Sequence, residues 1–544
     1  MAGEVGPNNN VTPTESEPAA HIPVTQLPPW DVAELPEPQP LRWRNWKRFI
    51  GPGLLMMGAN IGGGEWLLGP EVAARFGGGL FWLATIAILG QVFYNLETGR
   101  YALYCGEPTF TGFMRIWPGT RFWVSIYLIL TLSAFLPGLA FNAATICAAL
   151  FLDRPPTADD APLVLLFGFA CFAMVVLPVI FGGKVYNALL AVMTVKVLIV
   201  LGFTLVMGLL FVKPEHWMEV FGGFLRFGTV PSPDAPEGQA VVNAFAFYHE
   251  NGRWPHLDLE HVSVLAAFAA VAGGGGLGNS LYSNFVRDKG WGMGSLVGAI
   301  PSAIGGTTIQ LSHLGKVFPI TAENLRRWKT WWRYILTDQA FVWLPGCFIG
   351  MALPSLLSIE FAPLSGLYEQ GGDRWAVACI TADGIRQAFQ GPTAQLAWIA
   401  MLLVGLFVLL PSQMMVVDNV SRRWTDVIWS TNQTVRERMQ PHQVKYIYYT
   451  ILALFVFWSS ISLYYFGGAH RGPKLMFVVA ANLNNVAIGA SSFHLLWINR
   501  RLLPAPLRPH WIMQLALLGC GLFYLGLSAL VFFSRVLPSI QQAW

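Results

Sequence analysis

Apolar residues in this chain fall into long blocks separated by short polar stretches, and do not alternate with polar ones. Blocks of roughly 20 or more residues, the length a helix needs to cross a bilayer, lie near 50–76, 80–105, 122–152, 161–182, 186–212, 261–286, 333–357, 394–416, 445–467, 473–498 and 511–534. The pattern predicts eleven membrane-spanning helices. A further stretch, Gly292–Leu311, is only moderately apolar and contains Pro301 and Gly305-Gly306. It reads as re-entrant or interfacial, with a twelfth span as the alternative. Two blocks are cut by glycine, the first at Gly62-Gly63-Gly64-Glu65 and the sixth at Gly273-Gly274-Gly275-Gly276-Leu277-Gly278-Asn279. Glycine is poor in a helix interior, so each run predicts a span that unwinds and bares its backbone. Bare backbone is tolerated at membrane depth only where protein covers it or a cavity receives it.

Composition agrees with a polytopic membrane protein. Of 544 residues 54% are hydrophobic and only 12% charged, against about a quarter charged in soluble domains. Residues 1–45 are polar and rich in proline (Pro28-Pro29, Pro36, Pro38, Pro40), which predicts a disordered tail. The six cysteines are scattered and form no CxxC or Cys/His cluster, so neither a disulfide framework nor a zinc site is indicated.

Loop charges set the expected orientation. With the N-terminus inside, the loop after span 6 carries Arg287, Lys289, Lys316, Arg326, Arg327, Lys329 and Arg333. The loop after span 8 carries Arg422, Arg423, Arg436, Arg438 and Lys445, and the loop after span 10 carries Arg500, Arg501 and Arg508. The long loop 213–260 after span 5 is acidic. This alternation is the positive-inside pattern, with the N-terminus cytoplasmic and the C-terminus extracytoplasmic. The breaks then lie five spans apart. An odd repeat length inverts the second half, so 46–212 and 261–498 are expected as inverted repeats, 213–260 as an extracellular loop and 499–544 as an appended span 11.

Several residues join this pattern in resembling a known family. Gly51-Pro52-Gly53 precedes the broken span, Gly77 opens a second span that ends in Arg100 and Gly106, span 6 adds Ser280-Leu281-Tyr282, and Ser412-Gln413-Met414 to Asp418 follows after span 8. Over roughly 48–505 the chain resembles the natural-resistance-associated macrophage protein (Nramp) family of divalent-metal transporters. The resemblance implies an all-α, LeuT-type fold of 5+5 inverted repeats, with helices 1 and 6 broken, working by alternating access. The chain departs from the family at the metal site. Gly62, Gly63, Gly64 and Glu65 stand where the family has Asp-Pro-Gly-Asn, and Leu277, Gly278 and Asn279 where it has Met-Pro-His. The thioether that favours soft metals is gone. Divergent relatives that handle magnesium also lose it, which keeps a hard cation in view. Span 3, Phe122–Leu152, contains no Asp or Glu where proton-coupled members carry carboxylates, so strong proton coupling is not expected.

Glu65 is the leading binding candidate and tentative metal ligand, because an intramembrane carboxylate is costly and usually functional. Carbonyls at Ile61, Gly62 and Gly276 would add oxygen ligands suited to a hard cation. The alternative has Glu65 pairing with Arg75 or capping the second half-helix. Asn60 and Asn279 offer amide oxygens at the breaks, or else hydrogen-bond the unwound backbone. Asn482 is the choice in span 10, near where the family places a coordinating Gln. Asn482, Asn484 and Asn485 read alternatively as glue between helices. Glu97 and Arg100 share a helix face as an internal ion pair. Lys196, deep in span 5, needs a partner such as Glu97, and serves either as a stand-in for a bound cation or as part of a structural pair.

The function expected is secondary-active transport of a metal cation, a hard divalent ion such as Mg or Mn. The first alternative keeps the fold and carries an organic solute such as an amino acid, whose carboxylate meets the half-helix N-termini and whose amine meets Glu65. The second is a non-transporting membrane receptor. No paired His/Asp or phosphate-binding loop points to an enzyme or to a cofactor. The expected partners are the transported species and the lipid bilayer, not nucleic acid.

Overall fold

The computed structural model describes residues 27–180, 185–299, 311–468 and 471–543. The chain is a bundle of long apolar helices, an integral, multi-pass membrane architecture. Among the described residues nine helices are long and apolar enough to cross a membrane: Thr120–Leu152, Ala158–Leu177, Leu189–Phe211, Val262–Lys289, Ala322–Ser365, Pro392–Thr431, Pro441–Phe466, Pro473–Leu502 and Trp511–Gln542. A further passage is formed by Gly64–Leu80 and Trp82–Cys105, which bend by 98° where they meet.

Two expected spans fail the test singly, for different reasons. Span 1 is divided into Pro52–Asn60 (span 1a) and a second half, Gly64–Leu68 and Gly69–Phe76 (span 1b), each too short to cross. Span 2, Trp82–Cys105, buries Gln91, Asn95, Glu97 and Arg100, which lower its hydropathy. With the bent pair counted as one, ten candidate spans stand among the described residues beside the eleven expected. Span 3 is interrupted as well, at Leu132–Phe135 and Pro137, before it resumes as Gly138–Leu152. Most of the segment read as re-entrant lies outside the described residues. Its flanks do not: Gly298 pairs with Leu311 in an antiparallel bridge, and Ser312 N donates to Val297 O at 2.9 Å. The two flanks therefore meet at one level.

Helix boundaries move outward wherever buried charges are paired. Span 8 runs from Pro392 to Thr431, beyond the apolar block, because Arg422 is neutralised within the bundle by Asp418 on the preceding turn (3.1 Å). Arg422 and Arg423 are thus buried helix residues, not loop charges, and Arg287 is likewise buried in span 6. Span 7 gains an amphipathic first section, Ala322–Asp338, that contains the run Arg326–Arg333.

The proline-rich tail departs from the expected disorder over residues 27–40. Asp31–Val32 pairs in parallel with Lys316–Val317. Trp30 is buried between Tyr101 and Tyr104, with the Arg115 guanidinium over its ring at 4.7 Å. Arg327, Trp331 and Tyr334 donate to the carbonyls of Leu35, Pro36 and Gln39. The aromatic-basic run Arg326–Arg333 thus helps to hold this strap, and Trp332 stacks on Arg100 at 4.1 Å. Proline supplied the disorder signal, but an extended chain needs only partners for its free carbonyls.

The acidic loop is also folded. It forms the helix Pro214–Gly223, the hairpin Thr229–Pro231 with Val241–Asn243, and the helix Ala244–Asn251. Arg253 and the His256 amide bond Asp234 and hold its carboxyl well below the usual range. Glu219 anchors this cap on the turn between spans 1 and 2 by accepting from Gly78 N at 3.2 Å.

Replacing Trp30 with alanine should cost on the order of 3 kcal/mol, as for a buried tryptophan elsewhere. Thermal unfolding of the purified protein checks this. An unchanged melting temperature would mean that the strap does not bear on the fold.

Candidate functional site

A helix that stops at membrane depth leaves carbonyls at its C-terminal end and N–H groups at the next N-terminus. In span 1 the helix ends at Asn60, and Ile61 turns away with ψ 83°. The freed carbonyls of Ala59 and Ile61 are met by Ser412 Oγ of span 8, at 2.7 and 3.3 Å. Lys196 Nζ, fully buried in span 5, donates to the same hydroxyl at 2.5 Å. On the other side of the gap Glu65 Oε2 accepts from Gly62 N at 2.8 Å, as a carboxylate at the third helical position caps a helix start. Asp338 of span 7 caps the beginning of span 1a in the same way. It accepts from Gly51 N (3.2 Å), Gly53 N (2.6 Å) and the Tyr282 hydroxyl (3.0 Å).

The second break is held mainly by Gln91. Its Oε1 accepts from Gly274 N (2.7 Å), Gly275 N (3.2 Å) and Asn279 Nδ2 (2.9 Å). Its Nε2 donates to Ala272 O (2.9 Å) and to the Tyr524 hydroxyl (2.6 Å). Gly273, Gly275 and Gly276 adopt positive φ between 54° and 103°, a conformation that side chains strain. Arg423 Nη1 donates to Leu277 O at 2.9 Å. Asn60 joins the two breaks: with its amide oriented to suit its neighbours, it donates to Met56 O and accepts from Trp343 Nε1 (2.8 Å) and Gly274 N (3.1 Å).

Between the breaks lies a cavity of ≈ 160 Å³. Its wall comes from spans 1, 3, 6, 8 and 10, and includes Asn60, Gly62–Gly64, Ser133, Gly273–Gly275, Ser412, Gln413, Arg423 and Asn484. Each end of the bundle is tied by its own buried charges. At the end where span 1b finishes, Arg75 bonds Glu71 and Asp373 (both 3.2 Å), and Lys474 bonds Glu71 (2.6 Å) and Asp373. At the end where span 1a begins, Arg287 bonds Asp426 (2.7 Å) and Asp288 (3.0 Å), while Arg422 joins Asp288 to Asp418.

The structure gathers some of the expected site residues and disperses others. Asn60 and Gly62 line the cavity; Glu65, Ile61, Gly276, Asn279 and Asn482 are absent from its wall. Glu65 lies behind the wall with one oxygen on Gly62 N and no hydrogen bond at Oε1. Arg75 does not reach Glu65, since it is engaged by Glu71 and Asp373. The Ile61 carbonyl is taken by Ser412, Gly276 packs on Asn484, and Asn279 serves Gln91. Asn482 and Asn485 donate to Ser263 O and Ala266 O, both at 2.9 Å, and so join span 10 to span 6. Asn484 faces the cavity instead, accepting from Ser133 Oγ at 2.7 Å. Glu97 and Arg100 form a bidentate pair (3.0 and 2.9 Å) shared with Asn499. Lys196 is not part of it; the carboxylate whose field reaches Lys196 is Glu65.

Gln91, Asp338 and Arg423 did not stand out in the sequence. A glutamine inside an apolar span and a second arginine beside a paired one were the available signals. The break in span 3 was legible as Pro137-Gly138.

No protein-family model matches the sequence, and no curated protein is similar to it. Solved structures are. The manganese transporter of Eremococcus coleocola, in complex with an aromatic bis-isothiourea substituted compound, superposes with a TM-score of 0.55 at 13% identity, over 93% of this chain and 91% of that one. A point mutant of the same transporter gives a TM-score of 0.56 with the same identity and coverage.

Gly64 is the contact between the broken spans: a Cβ there would lie 2.3 Å from the Val271 carbonyl oxygen. Gly64→Ala should therefore lower the melting temperature strongly, whereas Gly202→Ala, with nothing within 4 Å of its Cβ, should leave it unchanged or raise it. Equal effects in the two variants would remove the close approach as a constraint. The likeness at this identity establishes the fold, and the chain shares the multi-pass, all-α architecture of that manganese transporter.

Proposed function

We propose that this chain is a secondary-active transporter that moves a small solute by alternating access, with the cavity between the two broken spans as its central site. The supporting observation is that cavity, placed where two unwound spans meet, with a separate ion-pair cluster at either end of the bundle. Opening one cluster while the other stays closed exposes the cavity to one side at a time. The exposed basic residues, Arg326, Lys329, Arg438, Arg500 and Arg501 among them, favour the end where span 1a begins as cytoplasmic. This orientation leaves the N-terminus inside and the C-terminus outside.

The manganese cargo of the structural relative brings a metal cation into consideration. Coordination by Glu65 would require its carboxylate to leave Gly62 N and enter the cavity. The wall itself offers neutral oxygens and one guanidinium, Arg423. Arg423 repels any cation that passes it, a divalent ion twice as strongly as a monovalent one at the same distance. The lining thus favours the second reading, an organic solute. Since Glu65 stands behind the wall, recognition of an amine by that carboxylate is not part of it.

Lys196 acts here as a fixed charge. Its ammonium rests on Ser412, which in turn bonds the carbonyls of span 1a, so it occupies the place a bound monovalent cation would take beside a helix C-terminus. Flux into proteoliposomes tests the proposal. The native protein should accumulate or exchange a solute, and Lys196→Met should fold and lose most of that flux. Full flux in Lys196→Met would remove the lysine from the cycle, and the absence of flux for every cation and solute tried would favour the receptor reading. An imposed proton gradient should change uptake less than twofold, because span 3 carries no carboxylate; acid-driven uptake would overturn this.

A further inference from the structure

The charge of the cavity is decided by one stripe of span 8. Ser412, Val416, Asn419 and Arg423 follow at spacings of four, three and four residues, so they share a helix face, and all four line the cavity. The neighbouring stripe, Asp418, Arg422 and Asp426, faces spans 6 and 9 and is closed by Arg287, Asp288, Asn284 and Tyr448. Arg423 stands apart from that cluster. It is 2% exposed, lies over the Phe110 ring at 5.2 Å, and donates to Leu277 O and, at 3.4 Å, to Asn419 O. Among the described residues it makes no ion pair, and no Asp or Glu contributes to the cavity wall. Behind the wall Lys196 and Glu65 offset one another, which leaves Arg423 as the net charge of the pathway.

A second donor points the same way. Gln413, 1% exposed, accepts from Ala140 N at 3.3 Å, and its Nε2 has no hydrogen-bond partner. It lines the cavity beside Gly63 and Gly64, which open span 1b and whose first-turn N–H groups have no intrahelical acceptor. The unpartnered Gln413 amide at the break and a guanidinium about 15 Å along span 8 form two stations for negative charge. Between them the wall includes Leu130, Leu136, Leu139, Val416 and Phe477. The volume is close to that of a cavity that holds benzene, roughly 150 Å³, and well below the several hundred of a drug-sized site.

We infer that the cargo is a small organic carboxylate with an apolar body. The carboxylate is received at the break by Gln413 Nε2 and the span 1b amides, and it passes Arg423 on the cytoplasmic part of its path. This inference rests on the transporter reading above and names its substrate class.

The test uses purified full-length protein and the acids from propionate to hexanoate, each paired with its primary amide, together with Mn²⁺ and Mg²⁺. At least one acid should raise the melting temperature while its amide, equal in size but uncharged, does not. Gln413→Leu should weaken binding of that acid roughly 10- to 100-fold, the loss expected for a hydrogen bond to a charged group, whereas Arg423→Gln should slow its exchange more than it weakens its binding. The comparison of acid with amide needs only the native protein, so it stands even if neither variant folds. An amide as effective as its acid, no response to any acid, or a response to Mn²⁺ or Mg²⁺ alone would overturn the inference. Flux separates it from its premise. A bound acid that is not exchanged across a liposome membrane leaves the substrate class standing and the transporter reading failed. Exchange of Mn²⁺ with no effect of any acid does the reverse.

Discussion

Backbone polar groups laid bare at membrane depth need partners, and that requirement organises this molecule. Each broken span opens carbonyls on one side and amides on the other, where lipid offers no hydrogen bond. The partners come from intact helices. Gln91 of span 2 bonds the Gly274 and Gly275 amides and the Ala272 carbonyl, Ser412 of span 8 meets Ala59 and Ile61, and Asn60 ties one break to the other. Asp338 caps the start of span 1a from span 7. The breaks are therefore determined structures, and the helices that determine them also wall the cavity.

Charge in the bundle is sorted by helical face. On span 8 one stripe closes into ion pairs with span 6, while the adjacent stripe presents Ser412, Asn419 and Arg423 to the cavity. The same helix thus contributes to the cluster at the end where span 1a begins and to the cavity, so a change of cluster geometry moves the cavity wall with it. At the opposite end Lys474 and Arg75 join span 10 and span 1b to Asp373. Both clusters include residues from a broken span, which is where a rearrangement meets the fewest helical hydrogen bonds.

Much of the architecture was legible in the sequence because its signals are local. Apolar blocks mark spans, and runs of glycine mark breaks. The i, i+3 spacing of Glu97 and Arg100 marks a shared helix face, where Arg100 Nε donates to both Glu97 oxygens. The assignments that shifted depended on distant partners. Helix 8 reads as ending before Arg422 until Asp288 is brought to it from span 6. The strap at 27–40 reads as disordered until Trp331 and Tyr334 offer donors to its carbonyls. Asn482, Asn484 and Asn485 are alike in sequence, and only packing separates the one facing the cavity from the two facing span 6.

By itself the sequence determined the multi-pass helical class and the two broken spans, because hydropathy and glycine content act within about 20 residues. It also indicated which end carries the exposed basic residues. Tertiary structure alone decided what the breaks enclose. It turned Glu65 back onto Gly62 as a cap, brought Lys196 to Ser412 across 216 residues, and left Arg423 facing the cavity without a carboxylate. Whether a buried charge is spent on structure or left for a ligand depends on which groups surround it in space, and linear spacing does not encode that.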